Sequence, residues 1–230
     1  MLDRLANRLR LARIAAVGGC CTPDGYSWLF SEKRAKSQAD RYRKRGLDAG
    51  SRRILELLKE RGLAGQTLLE VGGGIGAVQI ELLKAGVSRA VSVEITGTYE
   101  SSAAALLREA GVEDRVERRV LDITQAGSAV AAADIVVMNR VVCCYPRGAV
   151  LASAAAERAR EVLVMTFPKR RRWTRVAVWL ANLMLAAMRR QFHIFVHPPE
   201  QILRSAAEQG LRPVLNRPGI FWQLVALERS

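Results

Sequence analysis

The sequence predicts an α/β fold, a seven-stranded and mostly parallel sheet with a final antiparallel hairpin and a helical N-terminal cap. Three observations lead there. From Gly65 onward, short apolar runs alternate with helical stretches over short connections, the pattern of a parallel sheet covered on both faces. The cluster Gly72-Gly73-Gly74-Ile75-Gly76 follows the first apolar run directly, where the backbone must turn sharply and approach a ligand closely. The tail carries two β segments joined by Arg217-Pro218-Gly219, a turn that pairs them antiparallel at the sheet edge.

The elements follow in order. In the cap, residues 1–62, Leu2, Leu5, Leu9 and Ala12 recur at helical spacing between Arg4, Arg8 and Arg10. A loop over 18–25, a basic helix over 31–45 and a helix over 47–61 come next, the last with Ile54, Leu55, Leu57 and Leu58 on one side and Gly62 closing it. In the core, residues 63–167, strands are expected at 67–71, 90–94, 116–121, 134–138 and 161–166, with helices at 77–84, 99–110 and 150–160 between them. The tail, residues 168–230, continues the same domain with a basic and apolar insertion, a helix over 199–209 and β segments at 212–216 and 220–228.

Half of the 230 residues are hydrophobic and a quarter charged, which excludes a disordered or fibrous chain and suffices for one sizeable core. Arginines interrupt what would be the apolar run of a signal peptide. The longest apolar stretch, Val176–Met188, is broken by Asn182 and falls short of the roughly 20 residues that a spanning helix needs. A cytoplasmic location is expected. The net charge of +14 is uneven: residues 1–62 hold 15 basic and 7 acidic side chains, 63–162 hold 10 and 12, and 163–230 hold 11 and 3. The excess lies on the flanks, where it suits an anionic partner, a membrane surface or plain solvation.

Three acids surround the glycine loop. Glu70 precedes it by two positions, Glu94 ends the second strand, where a carboxylate can accept both hydroxyls of a ribose, and Asp122 ends the third. The phosphate-binding spacing G-x-G-x-x-G is absent, which argues against a dinucleotide oxidoreductase. Glu-x-Gly-x-Gly-x-Gly, an acid about 20 residues on, and Asp after the third strand resemble the class I S-adenosylmethionine-dependent methyltransferases, most closely over residues 65–167. The resemblance implies a Rossmann-like core with S-adenosyl-L-methionine as cofactor. It gives Gly72, Gly74 and Gly76 to the methionine end, Glu94 to the ribose and Asp122 to the adenine, with Glu70, Ile123 and Asn139 beside them.

At the end of the fourth strand the chain reads Asn139-Arg140-Val141-Val142-Cys143-Cys144-Tyr145-Pro146. The family's nucleobase-amine motif is missing, which counts against nucleic acid. The four cysteines form two adjacent pairs, Cys20-Cys21 and Cys143-Cys144. They are small buried hydrophobes or, if the cap brings the pairs together, soft ligands for a thiol, metal or metalloid acceptor; no other metal site is indicated. His197 is the better placed of two histidines for a general base, and Cys143 and Cys144 are the other catalytic candidates. The overall plan, with Phe167-Pro168 before an apolar helix and His197-Pro198 before the last one, is similar to that of magnesium-protoporphyrin O-methyltransferases. The 169–190 insertion, arginine-flanked and apolar, suits either a lid or peripheral membrane contact.

The expected function is therefore methyl transfer to a small hydrophobic or anionic molecule, on oxygen first. Sulfur or metalloid methylation through the cysteine pairs is the alternative. A non-catalytic, cofactor-binding adaptor on membrane or RNA is the rival of another class.

Overall fold

The computed structural model describes residues 26–230; the expected first helix, the 18–25 loop, Cys20 and Cys21 lie outside them. Two helices open the described chain, α1 (Glu32–Arg45) and α2 (Ala49–Glu60). Asp48 caps α2, its side chain accepting from the Gly50 and Ser51 N–H groups, which would otherwise lack partners in the first turn. Ile54, Leu57 and Leu58 face inward and are buried, each such side chain contributing about 1.5–3 kcal/mol.

The core alternates as the sequence predicts: β1 (Thr67–Val71), α3 (Ala77–Lys84), β2 (Arg89–Glu94), α4 (Glu100–Glu109), β3 (Val116–Val120), β4 (Ala133–Asn139), α5 (Gly148–Glu157) and β5 (Ala159–Pro168). The tail adds α6 (Arg172–Ala187), α7 (Pro199–Ala207), β6 (Leu211–Pro218) and β7 (Trp222–Arg229). The strand order is β3-β2-β1-β4-β5-β7-β6. β1 to β5 run parallel, and β7 enters antiparallel between β5 and β6. This is the α/β sheet with a closing hairpin that the sequence predicts.

Boundaries moved where partners extend a strand beyond its apolar run. β5 starts at Ala159 and ends at Pro168, because β4 pairs with its first residue and β7 with its last. β6 continues through Pro218, so the reversal falls at Gly219–Phe221 and not at 217–219. Pro213 and Pro218 are tolerated because β6 is an edge strand with an irregularity at Pro213/Leu215. The inner strands bury both faces. Leu68, Ile135 and Val164 belong to one apolar layer with α1 to α4, and Leu69, Val136 and Leu163 to the other with α5 and α7.

Side chains also tie α1 and α2 to the core. Arg43 forks onto both Glu109 oxygens at 2.8 Å, Tyr42 donates to Glu81 and Gln38 to the Tyr99 hydroxyl. The Arg43–Glu109 pair is solvent-exposed and contributes little. The apolar contacts beneath hold the two helices in place.

Candidate active site

The parallel strands deliver their carboxyl ends to one rim, where a crevice forms in such sheets. Here it is a cavity of about 1140 Å³ under α1 and α6. The loop after β1 forms its floor. Gly72, Gly74 and Gly76 have φ of 67°, 62° and 74°, a backbone region that side chains resist. At Gly72 a Cβ would also stand 2.5 Å from Val141, and at Gly73 2.3 Å from the Glu70 carboxyl. The loop packs down on both, leaving its outer side to the cavity.

Two carboxyls lie buried at this floor. Burial pushes Glu70 up to about 8, with Glu94 adding to the rise and Arg118 and the Gln79 backbone opposing it. One of its oxygens, Oε2, has no hydrogen-bond partner among the described residues. Burial also pushes Glu94 up to about 7, against the Gly74 N–H and Arg118. Glu94 Oε1 accepts a hydrogen bond from Gly74 N, so the second acid grips the glycine loop. Arg118 on β3 moderates the pair. Its guanidinium donates to both Glu100 oxygens, to Ser92 Oγ at 3.2 Å and to the Gly74 carbonyl at 3.2 Å.

Asp122 and Ile123 line the cavity after β3. Asp122 Oδ1 accepts from Thr124 N and Oγ1, and Oδ2 accepts from the Tyr145 hydroxyl at 2.8 Å. These bonds fix the carboxylate between the β3 and β4 ends. Asn139 also lines the cavity. Its amide donates to Ser51 Oγ at 3.0 Å and accepts from Thr166 Oγ1 at 2.7 Å, which joins α2 to β4 and β5 and leaves a second N–H.

The other half of the cavity is apolar. Tyr26, Phe30 and Phe192 form a ring cluster with centroids 5.9–6.1 Å apart. Val178 and Ala181 of α6 roof it, and Phe221 and Trp222 close the β7 side. Cys143 and Cys144 stand in this wall with sulfurs 3.7 Å apart. The hydrogen bond with Cys144 and the nearby Arg140 hold the Cys143 thiol below its usual range, against burial. No group of three metal-ligating side chains gathers among the described residues.

His197, the expected base, is not among the residues that line the cavity. Its Nε2 donates to the Tyr145 carbonyl at 2.8 Å, its ring stacks on Phe195, and a Cβ at Gly148 would meet it at 2.5 Å. Burial lowers its pKa, and the neutral ring pins the loop before α7 to the start of α5. His193 is committed likewise: Asn182 donates to its Nε2, and bonds Ile194 through both N–H and carbonyl. The asparagine that interrupts the apolar stretch thus fastens the 189–198 segment to α6.

Sequence reasoning missed Arg118, Tyr145, Arg140 and Asp48. Arg118 lies in the charged strand β3 and Arg140 just after the apolar strand β4, but their partners come from other segments of the chain.

No family model matches the chain, and no curated protein matches it. Solved structures do. The magnesium protoporphyrin IX methyltransferase of Synechocystis, with bound SAH, is similar at a TM-score of 0.63 and 16% identity, over 78% of this chain and 81% of that one. An O-methyltransferase family 2 protein from Planctomyces limnophilus in complex with apigenin gives 0.63 and 20%, over 86% and 62%. Geranyl diphosphate C-methyltransferase from Streptomyces coelicolor, in complex with Mg2+, geranyl diphosphate and S-adenosyl-L-homocysteine, gives 0.58 and 16%, over 77% of each chain. The strand order, the glycine loop and these likenesses agree: the chain has the fold of the class I S-adenosylmethionine-dependent methyltransferases.

Proposed function

We propose that this chain is an S-adenosylmethionine-dependent methyltransferase acting on an oxygen of a small, hydrophobic or anionic molecule. The observation that carries the reading is the two-part cavity. One end has a glycine floor and carboxyls from three successive strand ends, Glu70, Glu94 and Asp122; the other is an aromatic chamber. The residues present fit the cofactor. Glu94 would take the ribose hydroxyls, Asp122 and Ile123 the adenine, and Gly72, Gly74 and Gly76 the methionine end. The bound cofactor supplies an electrophilic methyl on a sulfonium. The chain contributes alignment and exclusion of water, which account for much of the rate in such a displacement.

With His197 committed elsewhere, an acceptor that is already ionised demands least of this site. A carboxylate carries its charge at neutral pH, whereas an alcohol must lose a proton. That favours an acidic oxygen.

Calorimetry with S-adenosylhomocysteine tests the reading and has an expected pH signature. Glu94 holds hydroxyl groups far better when ionised, and burial pushes its carboxyl up to about 7. Affinity should therefore rise as pH rises, about tenfold between pH 6 and 8. Absence of binding at either pH would end the proposal.

The charged flanks fit a lipid surface. No helix of the described residues is long and apolar enough to cross a membrane. α6 lines the cavity with Ala177, Val178 and Ala181 but exposes Val176, Trp179, Leu180, Leu183 and Met184, with Trp179 62% exposed. Exposed arginines bracket it: Arg170, Arg171, Arg172 and Arg175 on one side, Arg189 and Arg190 on the other. An apolar stripe with cations at both ends suits the boundary of an anionic bilayer. Replacing Trp179 and Leu183 by Glu should reduce co-sedimentation with phosphatidylglycerol vesicles at least about fivefold. Equal sedimentation of both proteins would remove the membrane role.

A further inference from the structure

β4 ends on a residue whose backbone is strained. Arg140 has φ of 62°, a left-handed conformation that residues other than glycine rarely adopt. Such residues persist where the surroundings over-determine them, and they cluster at ligand sites. Here the Arg140 N–H donates to Thr166 Oγ1 at 2.8 Å, and Thr166 donates on to Asn139. The strained backbone turns the guanidinium into the cavity wall, 2.5 Å from Asp48 and 5.6 Å from the Trp222 ring centre.

Its position in the cavity separates it from the other cations there. Lys33, Arg34 and Arg41 also line the cavity, but all three come from α1, which bonds to the Tyr99 side of the β2 end. Arg140 instead serves the side formed by β4, β5 and β7, beside Pro168, Phe221 and Trp222. The residues assigned to the cofactor come mainly from the ends of β1, β2 and β3, so the β4–β7 side falls to the acceptor. Of the described residues that line the cavity, Arg140 is the one cation on it; neighbouring Lys169 donates to the Gly219 carbonyl.

The counter-ion is arranged to let go. Asp48 engages Arg140 through Nη2; its release frees the Nε/Nη2 and Nη1/Nη2 edges, each a donor fork suited to an oxyanion. Asp48 has other partners as well: Gly50 N, Ser51 N and Ser51 Oγ donate to it at 2.9, 3.3 and 2.9 Å. The start of α2 therefore stabilises the carboxylate without Arg140. Displacing the pair strands neither charge once an anion has arrived.

We infer that Arg140 anchors the anionic group of the acceptor and that Asp48 is its displaceable counter-ion, with the apolar body of the acceptor lying against Trp222 and the aromatic chamber. This rests on the methyltransferase reading for its meaning but is measured without cofactor. Two fluorescent probes share a ring system, anilinonaphthalene sulfonate with an anionic group and N-phenylnaphthylamine without one. Arg140→Gln should weaken the sulfonate probe about tenfold and leave the neutral one within about twofold. Asp48→Asn, which retains a good helix cap, should shift the sulfonate probe the opposite way, about threefold tighter. Sulfonate binding unchanged in Arg140→Gln, or both probes weakened alike, would overturn the anchor. S-adenosylhomocysteine calorimetry on the unaltered protein judges the methyltransferase reading separately.

Discussion

Glu94→Gln should weaken S-adenosylhomocysteine binding about 30- to 100-fold, the loss expected for a charge-assisted pair of hydrogen bonds. It should also make the protein more heat-resistant at pH 8. Both effects come from one carboxyl. Burial raises it to about 7, so relative to an unfolded chain it favours folding while protonated. That contribution is fully present below the ordinary carboxylate range and is lost as pH rises through about 7. The amide never ionises and escapes the loss. Each kcal/mol regained corresponds to about 2–4 °C in a chain of this size, and a gain of several degrees at pH 8 should vanish near pH 5. Thermal scans at both pH values check the stability half and calorimetry the binding half. Undiminished affinity would remove Glu94 from the ribose role.

Gly72→Ala is the second large effect, and it acts through backbone and packing together. The φ of 67° opposes any side chain, and the new Cβ would lie 2.5 Å from Val141. Strain and clash together should cost about 2–3 kcal/mol, a fall of roughly 5–10 °C in melting temperature. Adding Val141→Ala should restore part of it, since that change relieves the clash and leaves the dihedral. Denaturation of the two single variants and the double variant gives the coupling. A Gly72→Ala protein that melts like the parent would contradict the close approach of the loop to Val141.

The parts of the fold legible in the sequence are those set by short-range pattern. Leu68 and Leu69 read as a strand because both of its faces are buried, and the glycines read as a turn because few other residues take their dihedrals. Glu94 and Asp122 were legible because strand ends converge on one rim. His197 was not, because a proline-flanked histidine looks the same in sequence whether its ring faces a ligand or a carbonyl oxygen. Asn139 was legible as a cavity residue, but its bonds were not, since Ser51 and Thr166 reach it from distant elements. Arg118 escaped for a related reason: in Val116–Val120 it reads as one of two arginines, and only the fold brings Glu100, Ser92 and the Gly74 carbonyl within its reach.

The placement of β7 has a consequence for synthesis. β5 is the fifth strand to emerge, yet its outer neighbour is made from residues 222–229. Until those residues leave the ribosome, Val162–Thr166 presents an unpaired, apolar strand edge for several seconds at about 5–20 residues per second. Such an edge invites pairing with another nascent chain. β6 and β7 then arrive as a hairpin, and the hairpin seals β5 by presenting the prolines of β6 to the outside.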